Sequence, residues 1–380
     1  MAMAIFIKPY NHGMTKDYYI GIMSGTSLDG IDAGLFCLTE KTIELTACHQ
    51  LKFPKDLHAQ LVDLITHGVI AIKTLGELDH QLGKLYGEAA LAVCKKAELD
   101  KTAITAIGCH GQSIYHQPEG KHRFTLQIGD PNIIAAKTGI PTVADFRRMD
   151  MAFGGQGAPL VPAFHQAYFA DANEKRAIVN IGGIANITFL DAKNEYPIGF
   201  DVGPGNTLMD LWIQKHLGQA FDDKGEWAQS GQINQVLLRQ LLKDPYFKKS
   251  APKSTGKEYF NLNWLESSLT GLNETAVNIQ ATLLALTVEI IAQCILQYPH
   301  KIDSLYLCGG GAYNRALKQN LAERLMIKVA TTNKLGISPQ WVEAAAFAYL
   351  AKNRLLQQPV LLKQVTGASE NTYLGGIYQA

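Results

Sequence analysis

Residues able to do chemistry are concentrated first in Gly21 to Asp32, which reads Gly-Ile-Met-Ser-Gly-Thr-Ser-Leu-Asp-Gly-Ile-Asp. Gly25 and Gly30 permit close backbone approach and positive φ, and Ser24, Thr26 and Ser27 supply hydroxyls. Successive backbone N–H groups in such a turn can form an anion-binding concavity. Asp29 and Asp32 would repel a phosphate unless a cation lay between, so the stretch suggests a metal-bridged nucleotide. The competing reading is a plain polar hairpin, because Gly, Ser and Asp dominate turns. Glycine turns recur at Gly182-Gly183 and at Gly309-Gly310-Gly311, and Asp201 stands just before Gly203-Pro204-Gly205. His116, His122 and His165 have no metal-ligand spacing.

Strand ends must hold these residues. Tyr18 to Ile22, Ile31 to Leu38 and Ile43 to Phe53 read as three strands, rich in β-branched and aromatic residues and separated by short turns. Lys55 to His67 reads as a helix, and Leu75, Leu78, Leu82, Leu85 and Ala89 form the apolar stripe of a longer one. The strand Ile104 to Cys109 ends at His110-Gly111-Gln112, and Phe124 to Ile128 ends at Gly129-Asp130-Pro131; a helix and the strand Pro141 to Ala144 follow. The second half repeats the plan. Ala177 to Ile181 and Ile184 to Leu190 flank Gly182-Gly183, and Pro197 to Val202 contains Asp201. Helices at Leu208 to His216, Ile233 to Leu242 and Thr275 to Leu296 precede the strand Ser304 to Leu307 and its glycines. The helix Ala312 to Leu325, the strand Ile327 to Ala330 and the helix Trp341 to Ala351 close the half. This repeat of element order predicts two similar α/β domains facing each other across a cleft, where ligands usually sit. The interdomain segment is Arg147 to Pro162, rich in Gly and Pro.

The chain has 380 residues, 47% of them hydrophobic, and a formal net charge of +1. That length suits about two domains. Balanced charge without long like-signed runs argues against nucleic acid and anionic membrane as partners. The six cysteines contain no C-x-x-C pair and read as reduced thiols. Ile279 to Leu296 is apolar but contains Gln280, Glu289 and Gln293, so it predicts a buried helix rather than a membrane span. Met1 to Gly13 lacks a signal-peptide layout, and Met14 is a candidate start. A soluble cytoplasmic protein is expected.

Met23 to Asp32 resembles the signature of anhydro-N-acetylmuramic acid kinases, within the actin, Hsp70 and sugar-kinase superfamily. The resemblance extends through His110-Gly111-Gln112, Gln127-Ile128-Gly129-Asp130, Asp145-Phe146-Arg147 and Gly154 to Leu160. It continues in Asn180 to Asn186, Gly199-Phe200-Asp201, Gly203 to Asn206, Pro252 to Gly256, Gly309 to Ala312 with Asn314, and Thr366-Gly367-Ala368. Ser113, Val202 and Lys257 depart from it conservatively. The resemblance implies two ribonuclease-H-like domains, 15–150 with 366–380 and 151–365, across a nucleotide cleft. It also implies an ATP- and Mg²⁺-dependent kinase of peptidoglycan recycling, working as a homodimer. Such an enzyme hydrolytically opens 1,6-anhydro-N-acetylmuramic acid and phosphorylates O6, giving N-acetylmuramic acid 6-phosphate.

On that resemblance Asp201 is the base that activates water; otherwise it is a turn-forming Asp. Gly25, Thr26, Ser27, Leu28, Asp29, Gly30, Ile31 and Asp32 cradle the β- and γ-phosphates, with Asp29 or Asp32 holding Mg²⁺ through water. Gly182 and Gly183 form the matching turn, and Gly309, Gly310 and Gly311 let adenosine approach the backbone. On the sugar side, Arg147 suits the lactyl carboxylate, or else pairs structurally with Asp150. Asp145, Asp130 and Gln156 suit hydroxyls, His110 could touch substrate, and Glu343 faces either the cleft or solvent. Other readings are a sugar kinase that adds no water, and an ATP-driven switch of the Hsp70 or actin kind.

Overall fold

The computed structural model describes residues 17–25, 28–194 and 196–380. Thr26, Ser27 and Met1 to Gly13 lie outside the described residues. β1 (Asp17–Met23), β2 (Ile31–Leu38) and β3 (Ile43–Leu51) form an antiparallel meander. β4 (Ile104–Cys109) and β7 (Thr142–Ala144) extend it in parallel beside β1. Between β4 and β7, β5 (Gln112–Gln117) and β6 (Phe124–Ile128) pair as a separate two-stranded ribbon. The second half builds the same arrangement. β8 (Arg176–Ile181), β9 (Ile184–Leu190) and β10 (Ile198–Pro204) are the meander, and β11 (Ser304–Cys308) and β12 (Lys328–Thr331) lie parallel beside β8. Strand orders are β13-β7-β4-β1-β2-β3 and β10-β9-β8-β11-β12, with β13 (Gly376–Tyr378) added antiparallel to the edge of the first sheet. The molecule is thus α/β, and the internal repeat read from element order is a repeat of sheet topology.

Each parallel step needs a crossover, which helices supply. The helices Lys55–His67 and Ile72–Lys96 carry the chain from β3 to β4. Leu78, Leu82 and Ala89 of the expected stripe are buried, with Leu75 and Leu85 packed at the margin of the same core. In the second half, the helix Ala276–Gln297 is long and apolar enough to cross a membrane by composition, yet most of it is buried. Its Ile279, Leu283, Leu286 and Ile290 sit in one core with β8, β9 and β11.

One packing contact joins the second half of the chain to the first sheet. Gly21 of β1 pairs in register with Gly108 of β4. A Cβ on Gly21 would lie 1.7 Å from the Ala344 carbonyl oxygen, and one on Gly108 2.1 Å from that of Phe347. The helix Val342–Leu355 therefore lies backbone against backbone on this glycine pair. Its Glu-Ala-Ala-Ala-Phe-Ala run lets it approach, and Ala344, Ala345, Ala346 and Ala348 are all buried. This helix follows the strands of the second sheet in the chain but packs on β1, β2 and β4 of the first. Around it, Tyr19 and Ala106 from the first sheet and Ile178 and Tyr306 from the second share a single core.

Candidate active site

Asp201 stands in the middle of β10 rather than at a strand end, half-buried, where the pairing with β9 shifts register before Gly203. Its backbone N–H donates to the Lys253 carbonyl at 3.1 Å, and the Tyr246 hydroxyl donates to its carbonyl at 2.7 Å. The Thr255 N–H donates to Oδ2 at 3.1 Å. The segment after the second meander thus clamps Asp201 on three sides, and among the described residues Oδ1 takes no hydrogen bond. Burial pushes the carboxyl up to about 7, and the Glu258 charge adds to this; the Thr255 N–H, Arg147 and Lys253 pull the other way. A carboxylate titrating near neutrality can accept a proton and later release it.

Arg147, just beyond β7, reaches toward Asp201 from the first half. Its Nε donates to His110 Nε2 at 3.0 Å and its Nη1 to the Gly157 carbonyl at 2.7 Å. The first bond fixes the His110 tautomer, because Nε2 must accept; Nδ1–H then donates to the Gly111 carbonyl at 2.7 Å. Burial holds His110 neutral, its pKa well below the usual value, and the Arg147 charge reinforces this. Burial brings Arg147 down to about 10, against the charges of Glu343, Asp201 and Asp150. Asp150 does not compete for the guanidinium as a hydrogen-bond partner: it accepts from the Gly157 N–H and the Thr366 hydroxyl, each at 2.7 Å. Arg147 and Asp150 therefore grip Gly157 from opposite sides, and Nη2 remains for a ligand anion. Beside them Gln156 is held through its N–H on the Thr366 carbonyl at 2.9 Å, and its buried Oε1 has no partner. An acceptor so placed fits a ligand hydroxyl.

Glu343, in the first turn of the helix on the glycine pair, faces inward and accepts from Asn180 Nδ2 at 3.4 Å. Burial raises its carboxyl and the Asp32 charge adds, while Arg147 opposes. Asp32 is also raised by burial and accepts from Gln340 Nε2 at 3.3 Å. The expected residues Asp32, Glu343, Arg147 and Asp201 are thereby electrostatically linked from one half to the other.

The phosphate-type turns also meet. The Gly183 carbonyl accepts from the Gly205 and Thr207 N–H groups at 2.8 and 3.1 Å, and the Gly182 carbonyl accepts from the Asn206 N–H at 2.9 Å. This docks the β8–β9 hairpin on the start of the helix Thr207–Leu217. A Cβ on Gly183 would meet Lys257 Cε at 2.6 Å and Thr207 Oγ1 at 2.8 Å, so glycine there makes room for both side chains. Asp210, in the first turn of that helix, is pushed up to about 7 by burial; the Asp29 charge adds and Lys257 opposes. Asp29 likewise raises Asp32. Carboxylates from both halves therefore repel one another here. No group of three or more His, Cys, Asp or Glu among the described residues could hold a metal alone. Magnesium, however, takes one or two protein carboxylates together with phosphate oxygens. One or two of Asp29, Asp32 and Asp210 would suit such an ion, which would relieve the repulsion of Asp29 with Asp32 and Asp210.

In the first turn, Leu28 adopts φ +58° and donates its N–H to the Gly25 carbonyl at 3.1 Å. Leu28 and Ile31 bury their side chains in the first core, leaving only backbone for a ligand. Gly309 and Gly311 press on β8, where added Cβ atoms would lie 2.2 Å from Asn180 Oδ1 and 2.3 Å from Ile181 Cγ2. Gly310 alone of the three is exposed. Asp130 caps the helix Pro131–Thr138, accepting from the Asn132 N–H at 2.8 Å, and Asp145 pairs with Arg148 at 2.7 Å. Asn180, Asp210, Tyr246, Lys253 and Thr255 were given no role from the sequence. Asp210 had a signal, as an acid one turn after Gly-Pro-Gly-Asn. Lys253 and Thr255 lay in the matched stretch Pro252 to Gly256, but nothing in local spacing tied them to Asp201, some fifty residues away.

The family described as anhydro-N-acetylmuramic acid kinase matches residues 17–380. An anhydro-N-acetylmuramic acid kinase of Coxiella burnetii (strain Dugway 5J108-111) is 50% identical over 367 residues, covering 96% of this chain and 98% of the relative. One from Shewanella pealeana is 49% identical, covering 97% of this chain and all of its own. Likeness to solved structures is weaker. The activator of 2-hydroxyisocaproyl-CoA dehydratase from Clostridium difficile aligns over 90% of this chain and 96% of its own at 11% identity, with a TM-score of 0.45. Near-complete mutual coverage at half identity leaves one conclusion: the chain belongs to the anhydro-N-acetylmuramic acid kinase family.

Proposed function

We propose that the chain converts 1,6-anhydro-N-acetylmuramic acid, water and ATP into N-acetylmuramic acid 6-phosphate and ADP, as a cytoplasmic homodimer serving peptidoglycan recycling. The observation that carries this reading is Asp201, clamped in the middle of β10 beside a register shift, titrating near neutrality and feeling the Arg147 charge from the first half. Asp201 takes a proton from water as the water oxygen bonds to C1. The C1–O6 bond breaks, and O6 bonds to the γ-phosphorus as ADP leaves. Arg147 offers Nη2 to the lactyl carboxylate, and Gln156 offers Oε1 to a sugar hydroxyl. Asp29 and Gly30 of the first turn and Gly183 of the second offer backbone N–H groups to the phosphates, with Lys257 beside Gly183. One or two of Asp29, Asp32 and Asp210 would hold magnesium, which would supply neutralisation of the phosphate charge when bound.

The test is ADP formation with Mg²⁺, with and without the anhydro-sugar, in ¹⁸O-labelled water. The reading expects sugar-dependent turnover with label in the C1 hydroxyl. Turnover without label would point to a sugar kinase that adds no water; turnover without sugar dependence would point to a nucleotide switch. Asp201→Asn is expected to keep nucleotide binding while kcat falls by about two to four orders of magnitude. A single-chain mass in light scattering would remove the homodimer.

A further inference from the structure

Behind Asp201, Lys253 is only 6% exposed. Its ammonium lies 4.9 Å from the centre of the Tyr246 ring and 5.5 Å from that of Phe200, and it reaches the Tyr246 carbonyl at 3.5 Å. Among the described residues it forms no ion pair with a carboxylate. A buried cation without such a partner carries a desolvation cost, which aromatic faces offset only in part. The cage is wired to the base. Tyr246 donates its hydroxyl to the Asp201 carbonyl while its ring faces the ammonium, and the Lys253 carbonyl accepts the Asp201 N–H. Phe200 is the residue before Asp201 on β10.

We propose that Lys253 is a positioning residue for the reaction: its caged ammonium fixes the middle of β10 at Phe200 and Asp201 and favours the ionised carboxylate of Asp201. This rests on Asp201 being the base. The charges around the pair are few. Asp201 is faced by Arg147 from the first half, and by Glu258 and Lys253 from its own. Lys253 is faced by Cys294 of the helix Ala276–Gln297, by Lys249 and by Asp201. Of the two cations acting on Asp201, Lys253 belongs to the same half, so its effect does not depend on how the two halves approach each other.

The experiment is the pH profile of kcat/KM for sugar-dependent ADP formation, in Lys253→Met, Lys253→Gln, Lys253→Arg and Asp201→Asn. Both neutral variants are expected to move the acid limb to higher pH by roughly half a unit or more. Their rate loss should therefore be larger at pH 6 than at pH 9, while Lys253→Arg restores the wild-type limb. An equal loss at every pH, an unmoved limb, or neutral variants that fail to fold beside a folded, active Lys253→Arg would each make Lys253 merely structural and overturn the proposal. Asp201→Asn separates the two ideas. If it retains turnover, the base assignment itself is wrong; if it is inactive and the limb stays put in Lys253→Met, only the role of Lys253 falls.

Discussion

At the scale of single residues, the base proposed for the reaction is one whose charge the fold disfavours. Asp201 has its carboxyl pushed from 3.8 up to about 7 by burial. The folded state therefore holds this proton more tightly than the unfolded chain. Its favourable contribution is complete below pH 3.8 and is lost as the pH rises through 7, so above 7 the ionised carboxylate is a burden. Asp201→Asn is accordingly expected to raise Tm at pH 8, by roughly 1 kcal/mol or more of stability. That advantage should shrink as pH falls from 7 toward 4. Differential scanning calorimetry of the two proteins across this range measures it, and a gap independent of pH would contradict it. With Asp201 as the proposed base the sign in activity is opposite: only the carboxylate accepts a proton, so kcat/KM is expected to fall as pH drops through about 7.

At the scale of elements, the glycine pair Gly21 and Gly108 sets where Glu343 stands. Any side chain there drives the helix Val342–Leu355 off β1 and β4, since its carbonyls already occupy the Cβ positions. Gly21→Ala and Gly108→Ala are each expected to cost about 1–3 kcal/mol in urea unfolding. The surviving folded enzyme should also show a raised KM, because Glu343 rides on the displaced helix and Gln340 sits in the turn just before it; full stability in either variant would count against the packing. Much of this level was legible in the sequence. The bounds of Ile31–Leu38, Ile104–Cys109, Phe124–Ile128 and Ile184–Leu190 agree with the strands expected, because β-branched runs end there at turn residues. β5 was not legible: Gln-Ser-Ile-Tyr-His-Gln is largely polar, and its partner is a ribbon rather than a sheet. The turns of Gly182-Gly183 and Gly309 to Gly311 could be located but not explained. The glycines accommodate Lys257, Asn180 and Ile181, contacts that tertiary structure alone creates. The Arg147–His110 bond spans 37 residues and left no trace in local spacing.

At the scale of the molecule, two copies of one topology share a core rather than merely touching. Tyr19, Phe36 and Ala106 of the first sheet pack with Ile178, Tyr306 and the helix Val342–Leu355. We propose the division 15–150 with 366–380 and 151–365 as two lobes of one cooperative unit. Residues 17–150 expressed alone are then expected to lack dispersed amide signals in NMR, and coexpression with 151–380 should restore them. A well-dispersed spectrum from the first piece alone would show that it folds independently.

The position of β13 has a consequence for biosynthesis. Strand β7, near the middle of the chain, receives its edge partner only from Gly376–Tyr378, and the glycine pair receives its covering helix only from residues 342–355. A ribosome delivers these pieces last. Throughout translation the first sheet therefore waits with an open edge and a bare patch, a state prone to aggregation. Until residues 342–378 emerge, the nascent chain is expected to need protection from intermolecular pairing.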